Sequence, residues 1–72
     1  MKEGGKMALS DNIKKTRESR GLTADELGAA AGVTQSMITK YETGVRVPNV
    51  IIACAIAKRL GVTVEKLVFG EE

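Results

Sequence analysis

Gln35, Ser36, Thr39 and Lys40 fall on successive turns of a stretch that reads as a helix, where side chains three and four residues apart share a side. A carboxamide, two hydroxyls and an ammonium in that arrangement offer hydrogen bonds and charge. The chain has no histidine to act as a base beside the hydroxyls. Glutamine can bond bidentately to adenine, serine is permissive, and lysine reaches guanine or a phosphate, so the set suits base edges in a DNA major groove. The same four residues also suit an ordinary solvated helix face. The segment ahead of them decides between the two.

That segment, from Leu22 to Val33, reads as a helix followed by a tight turn. Thr23 can cap the helix start, and Glu26 stands where its side chain can bond back, the capping-box pattern. Leu22 and Leu27 lie where a hydrophobic staple would lie. Gly32 offers the left-handed backbone that ends a helix without a steric penalty. Thr34 then caps the helix bearing Gln35, with Val33 and Ile38 as its staple. Ile38 and Tyr41 are expected in the core, and Met37 falls elsewhere on the helix. A helix, a glycine turn and a second helix form a helix-turn-helix, whose second helix lies in the major groove with its first residues at the bases.

The remaining elements must hold this pair in place. Residues 1–8 read as a flexible arm, with Gly4 and Gly5 among charges, and Met7 is an alternative start. Ser10 is the predicted cap of a first helix closing at Gly21, with Leu9, Ile13 and Thr16 on its apolar side. The second helix is predicted from about Ala24 to Ala31 and the third from about Gln35 to Glu42. Thr43 and Gly44 stop the third helix. Val45–Pro48 form an extended loop, because Pro48 biases Val47 away from helical angles. Asn49 caps a fourth helix over Val50 to Leu60, which closes on Gly61. Thr63 caps a last short helix ending near Val68, with Val62 and Leu67 as its staple, and residues 70–72 are a tail. The pattern gives an all-α domain over residues 9–69, with five helices and neither strand nor repeat.

Bulk properties exclude other classes. Seventy-two residues allow one domain with a modest core. The net charge of +2 is mild, but residues 1–21 carry six Lys or Arg against three Asp or Glu, whereas residues 22–44 carry one against three. Cys54 is the only cysteine and there is no histidine, so neither an internal disulfide nor a zinc site is expected, and no cofactor is implied. Cys54 lies in the run VIIACAIA, which reads as helix core. That run is far short of the ~20 residues that cross a bilayer. The first ten residues lack the apolar stretch of a signal peptide. A cytoplasmic protein without catalytic machinery is expected.

From Ile13 to Leu67 the chain resembles the lambda-repressor/Cro type of helix-turn-helix, the xenobiotic-response-element family of small bacterial and phage regulators. The resemblance rests on Ile13, Arg17, Gly21-Leu22-Thr23, Glu26-Leu27, Gly32-Val33-Thr34, Ser36, Ile38, Tyr41-Glu42, Gly44, Arg46, Pro48 and Ala57-Lys58, and on Leu60-Gly61-Val62-Thr63 with Leu67. It implies a compact five-helix domain with the helix-turn-helix in helices 2 and 3, and sequence-specific binding of double-stranded DNA by a homodimer. It also implies an ion pair between Arg17 and Glu42 that ties the first helix to the end of the third. Arg46 resembles the family's basic loop contact to phosphate. Thr23 with the amide end of the second helix, and the backbone near Asn49, are further phosphate candidates, since helix N-termini attract anions.

The chain also departs from the family pattern. Ala24 stands where most members carry a glutamine that bonds a phosphate and braces the first base-reading side chain. Gly28 replaces the usual alanine at the expense of ~1 kcal/mol of helix stability. Thr16 replaces a common leucine. Ile51 and Ala55 are apolar where polar residues are frequent, so they are candidates, with Leu67, Val68 and Phe69, for a dimer interface. The expected function is a transcriptional repressor on an inverted-repeat operator. The alternative is a protein-binding regulator on the same fold, an antitoxin or antirepressor with a protein partner.

Overall fold

A computed structural model describes residues 6–70. Five helices follow in order: α1 (Lys6–Ser19), α2 (Ala24–Ala31), α3 (Gln35–Thr43), α4 (Val50–Leu60) and α5 (Val64–Phe69). There is no strand among the described residues. The predicted all-α class is what is found.

Local chemistry sets the element boundaries. Thr23, Thr34, Asn49 and Thr63 are extended N-caps, and each side chain accepts a backbone N–H of the first turn it opens. At α2 the capping box closes fully: Glu26 N donates to Thr23 Oγ1 at 3.0 Å and Thr23 N donates to Glu26 Oε1 at 2.8 Å. Each cap satisfies an otherwise orphan donor, stabilising its helix by about 1 kcal/mol. Gly32 ends α2 with φ 77°, a left-handed conformation that a side chain would strain.

Two predicted boundaries are corrected. Ser10 does not cap α1; the helix is already under way at Lys6, and Ser10 is buried within it. Of the predicted arm, Lys6–Ala8 are therefore helical, and residues 1–5 lie outside the described residues. The physical reason is burial: Leu9 and Ile13 sit one turn apart against the core, and the register that buries both carries the helix upstream. At the other end α1 stops at Ser19, and Gly21 turns the chain with φ 73°. Gly70, assigned to the tail, closes α5 in a left-handed conformation, with its N–H donating to Lys66 O.

One apolar cluster unites all five helices: Leu9 and Ile13 of α1, Leu27 of α2, Ile38 and Tyr41 of α3, Ile56, Ala57 and Leu60 of α4, and Leu67 of α5. Leu22, Val33 and Val62, the outer halves of the predicted staples, pack against it. Helix α2 packs on α3 and α4, while α1 packs on α3 and α5. The expectation that Cys54 lies in the core is not met. Ala53, Ile56, Ala57 and Leu60 face inward on α4, and Cys54 is exposed. An apolar run of that length exceeds what one helix face can bury, so Val50, Ile51 and Cys54 are left at the surface.

Gly28 belongs to the α2–α3 junction. A Cβ built there would stand 2.7 Å from Val33 O and 3.1 Å from the carbonyl carbon and oxygen of Thr34. The contacts are backbone and cannot swing aside. The glycine thus lets the turn close more tightly than an alanine in the same conformation would allow.

Candidate nucleic-acid interface

Helix α3 divides cleanly into two faces. Ile38 has no exposed surface and Tyr41 is buried, whereas Gln35, Ser36, Thr39 and Lys40 are all exposed. The predicted base-reading residues therefore share the outward side, and the helix is anchored by the opposite one. Thr34 caps it, accepting Met37 N at 3.1 Å. Thr43, read from the sequence as part of the stop, instead extends α3 and is exposed. It lies one turn beyond Thr39 and Lys40, and only its place next to Gly44 hid it.

The hydroxyls on this surface are not equivalent. Thr39 Oγ1 donates to Gln35 O at 3.2 Å, and Thr43 Oγ1 donates to Lys40 O at 3.3 Å. Ser36 makes no such bond back to its helix, and its hydroxyl stays available.

Of the residues expected at phosphates, Arg46 is tied to this helix, while Thr23 and Asn49 cap the starts of α2 and α4. Thr23 is exposed at the start of α2, but Glu26 occupies its N–H and the first turn carries Asp25 and Glu26. What it can offer a phosphate is its hydroxyl hydrogen, with the amides of Ala24 and Asp25 beside it. The acidic first turn opposes the pull of the helix end on an anion. Arg46 is exposed, and its backbone N–H donates to Lys40 O at 3.2 Å, which fixes the loop to the last turn of α3. Asn49 uses its Oδ1 to accept Ile52 N at 2.8 Å, so its carboxamide nitrogen is the end left for an external acceptor.

Behind the surface, Arg17 grips Glu42 bidentately. Arg17 Nε donates to Oε2 at 2.6 Å and a terminal nitrogen donates to Oε1 at 3.1 Å, while the other donates to Leu22 O at 2.8 Å. The side chains are 14% and 7% exposed, so the pair is largely withdrawn from water. The hydrogen bonds to Glu42 raise the Arg17 pKa further above its ordinary alkaline value, against a smaller opposing effect of burial. Through this one guanidinium, α1 holds both the end of α3 and the turn leading into α2.

Two further ties were not foreseen from sequence. Arg20 Nε donates to Leu60 O and Asn12 Nδ2 donates to Leu67 O, each at 2.8 Å. Both bonds satisfy carbonyls at helix C-termini across more than half the chain, a separation that leaves no local pattern to read.

The predicted dimer residues separate. Ile51 is 76% and Phe69 66% exposed, and Ala55 and Val68 are half-buried. Leu67 has no exposed surface and belongs to the core, so it is removed from the candidate interface. Its burial follows from its role as the inner half of the Val62–Leu67 staple.

The described residues contain no group of three side chains placed to hold a metal ion. No helix among them is long and apolar enough to cross a membrane.

The helix-turn-helix family model matches residues 13–67. An uncharacterized HTH-type transcriptional regulator of Sinorhizobium fredii is 35% identical over 60 residues, covering 83% of this chain and 78% of that protein. The HTH-type transcriptional activator BcrR of Enterococcus faecalis is 30% identical over 66 residues, but the chain spans only 32% of its length. Among solved structures, the P22 c2 repressor with a synthetic operator superposes with a TM-score of 0.83 at 24% identity, covering 88% of this chain and 96% of that one. SinR, the master regulator for biofilm formation, in complex with DNA, superposes with a TM-score of 0.76 at 27% identity, covering 82% of this chain and 95% of that one. The chain belongs to the helix-turn-helix family of lambda-repressor type, whose members are DNA-binding regulators of transcription.

Proposed function

We propose that the protein represses transcription by binding an inverted-repeat operator as a homodimer, with α3 of each protomer in the major groove. The observation that carries this reading is the two-faced α3: a buried side anchored by Ile38 and Tyr41, and an outward row of Gln35, Ser36, Thr39 and Lys40. Phosphate contacts from Thr23, Arg46 and Asn49 would set the register, and base contacts would set the sequence. The two recognition helices would then lie one helical turn of DNA apart, roughly 34 Å. Ile51 and Phe69, with Ala55 and Val68, are the candidate self-association residues. SinR, similar over most of its length, was solved in complex with DNA, which supports the duplex as ligand.

Selection of bound sequences from random duplexes by the purified protein at moderate salt tests the proposal. Enrichment of an inverted repeat is the expected result, and its spacing reports the dimer geometry. Enrichment of a lone half-site, or of nothing, would contradict it. The exposed Ile51 and Phe69 also favour a second reading, a protein-binding regulator on this fold such as an antitoxin or antirepressor. Co-purification with a second small protein would speak for that reading.

A further inference from the structure

We infer that Thr39 selects a thymine through its γ-methyl group, an inference that rests on α3 lying in the major groove. Threonine on a recognition helix can act by its hydroxyl or by its methyl, and the two select different bases. Here the hydroxyl hydrogen is already committed: Thr39 Oγ1 donates to the Gln35 carbonyl one turn back, at 3.2 Å. A hydroxyl held against its own helix in this way is turned from the groove. The methyl is then the free end of an exposed side chain. In the major groove only thymine presents a methyl of its own, on C5, and an apolar contact between the two is the natural match.

The neighbouring side chains divide the remaining roles. Ser36, on the same side one turn earlier, keeps its hydroxyl available, and Gln35 and Lys40 supply a carboxamide and a cation. Hydrogen-bonding capacity is thus already present around Thr39. Of the four predicted base-reading residues, only Thr39 carries a methyl group with which to distinguish thymine from cytosine.

The test uses the duplex obtained by selection, with each thymine replaced in turn by deoxyuridine, which removes the C5 methyl alone. Binding is followed by fluorescence anisotropy for the parent protein, Thr39→Val and Thr39→Ser, with helical content checked by circular dichroism. At one thymine per half-site the replacement should weaken the parent about fourfold, the value of burying one methyl-sized group. Thr39→Val, which keeps a methyl and loses the hydroxyl, should show the same loss. Thr39→Ser, which keeps the hydroxyl and loses the methyl, should bind the thymine and deoxyuridine duplexes alike. The inference is overturned if Thr39→Ser retains the parent's sensitivity, if Thr39→Val loses it, or if no single thymine matters. A parent protein that selects no sequence would fail earlier, at the groove-binding reading, and takes this inference with it.

Discussion

At the scale of single residues, Arg17 and Arg46 are both cations near acceptors, and their surroundings give them opposite consequences. Arg17 is 14% exposed and committed to Glu42 and to Leu22 O, so its loss leaves a nearly buried carboxylate without a partner. Arg17→Ala should lower unfolding stability by about 3 kcal/mol, far more than a surface pair would. Urea denaturation measures this directly, and an unchanged midpoint would remove the pair from the account. The sign of the pH dependence also follows. A raised pKa stabilises the fold at every pH below the ordinary guanidinium range, and the contribution is lost only as pH rises past the raised value. The stability gap between parent and variant should therefore stay constant from neutral to mildly alkaline pH. Arg46, in contrast, is exposed, and in the proposed complex its charge would act on the DNA backbone rather than on the fold. Arg46→Ala should weaken binding to all duplexes and reduce the slope of log affinity against log salt by about one. Equal slopes for variant and parent would exclude Arg46 from the phosphate contacts. Both arginines stand out in the sequence only through the family pattern. The bonds of Arg20 to Leu60 O and of Asn12 to Leu67 O match no local pattern, and they became visible only once the helices were placed.

At the scale of elements, the helix ends were legible because the chemistry that ends a helix is local. Thr23, Thr34, Asn49 and Thr63 could be read as caps, and each proves to be one, because the bond in question spans three residues. The start of α1 was not legible, since the register there is set by burying Leu9 and Ile13 against other helices rather than by a cap. Gly28 shows the same division. From sequence it is a helix-weakening residue, and replacement by alanine would add ~1 kcal/mol of helical propensity. In the fold, that Cβ would lie 2.7 Å from Val33 O, on a turn whose backbone is fixed by the caps on either side. Overpacking of this kind costs about 1–3 kcal/mol, so the steric term should exceed the propensity gain. Gly28→Ala is expected to lower the urea midpoint despite improving the helix. A raised midpoint would mean that the α2–α3 turn yields by several tenths of an ångström. In that case duplex binding by the variant should be re-measured, because α3 begins directly after this turn.

At the scale of the whole molecule, the proposed operator complex requires a surface that joins two copies. Helical periodicity alone could not separate interface from core at the C-terminal end, where Leu67, Val68 and Phe69 are all apolar. Three-dimensional packing does so: Leu67 has no exposed surface, Val68 is half-buried and Phe69 is 66% exposed. On α4 the same sorting leaves Ile51 76% exposed, beyond the loop that carries Arg46. Large apolar side chains so far out of the core are costly to leave in water and gain by being covered. If a second copy covers them, Ile51→Lys and Phe69→Lys should each raise the dimer dissociation constant about tenfold, equivalent to about 1.4 kcal/mol. Neither side chain belongs to the apolar cluster, so the unfolding midpoint of the monomer should hardly move. Sedimentation equilibrium over a concentration series measures the first effect. Titration of inverted-repeat against single half-site duplexes supplies the control, because loss of dimerisation weakens only the former. A parent protein that stays monomeric both free and on inverted-repeat DNA would exclude this use of the two side chains. The apolar surface would then be assigned to a different protein, and the antitoxin or antirepressor reading would take precedence over the homodimer.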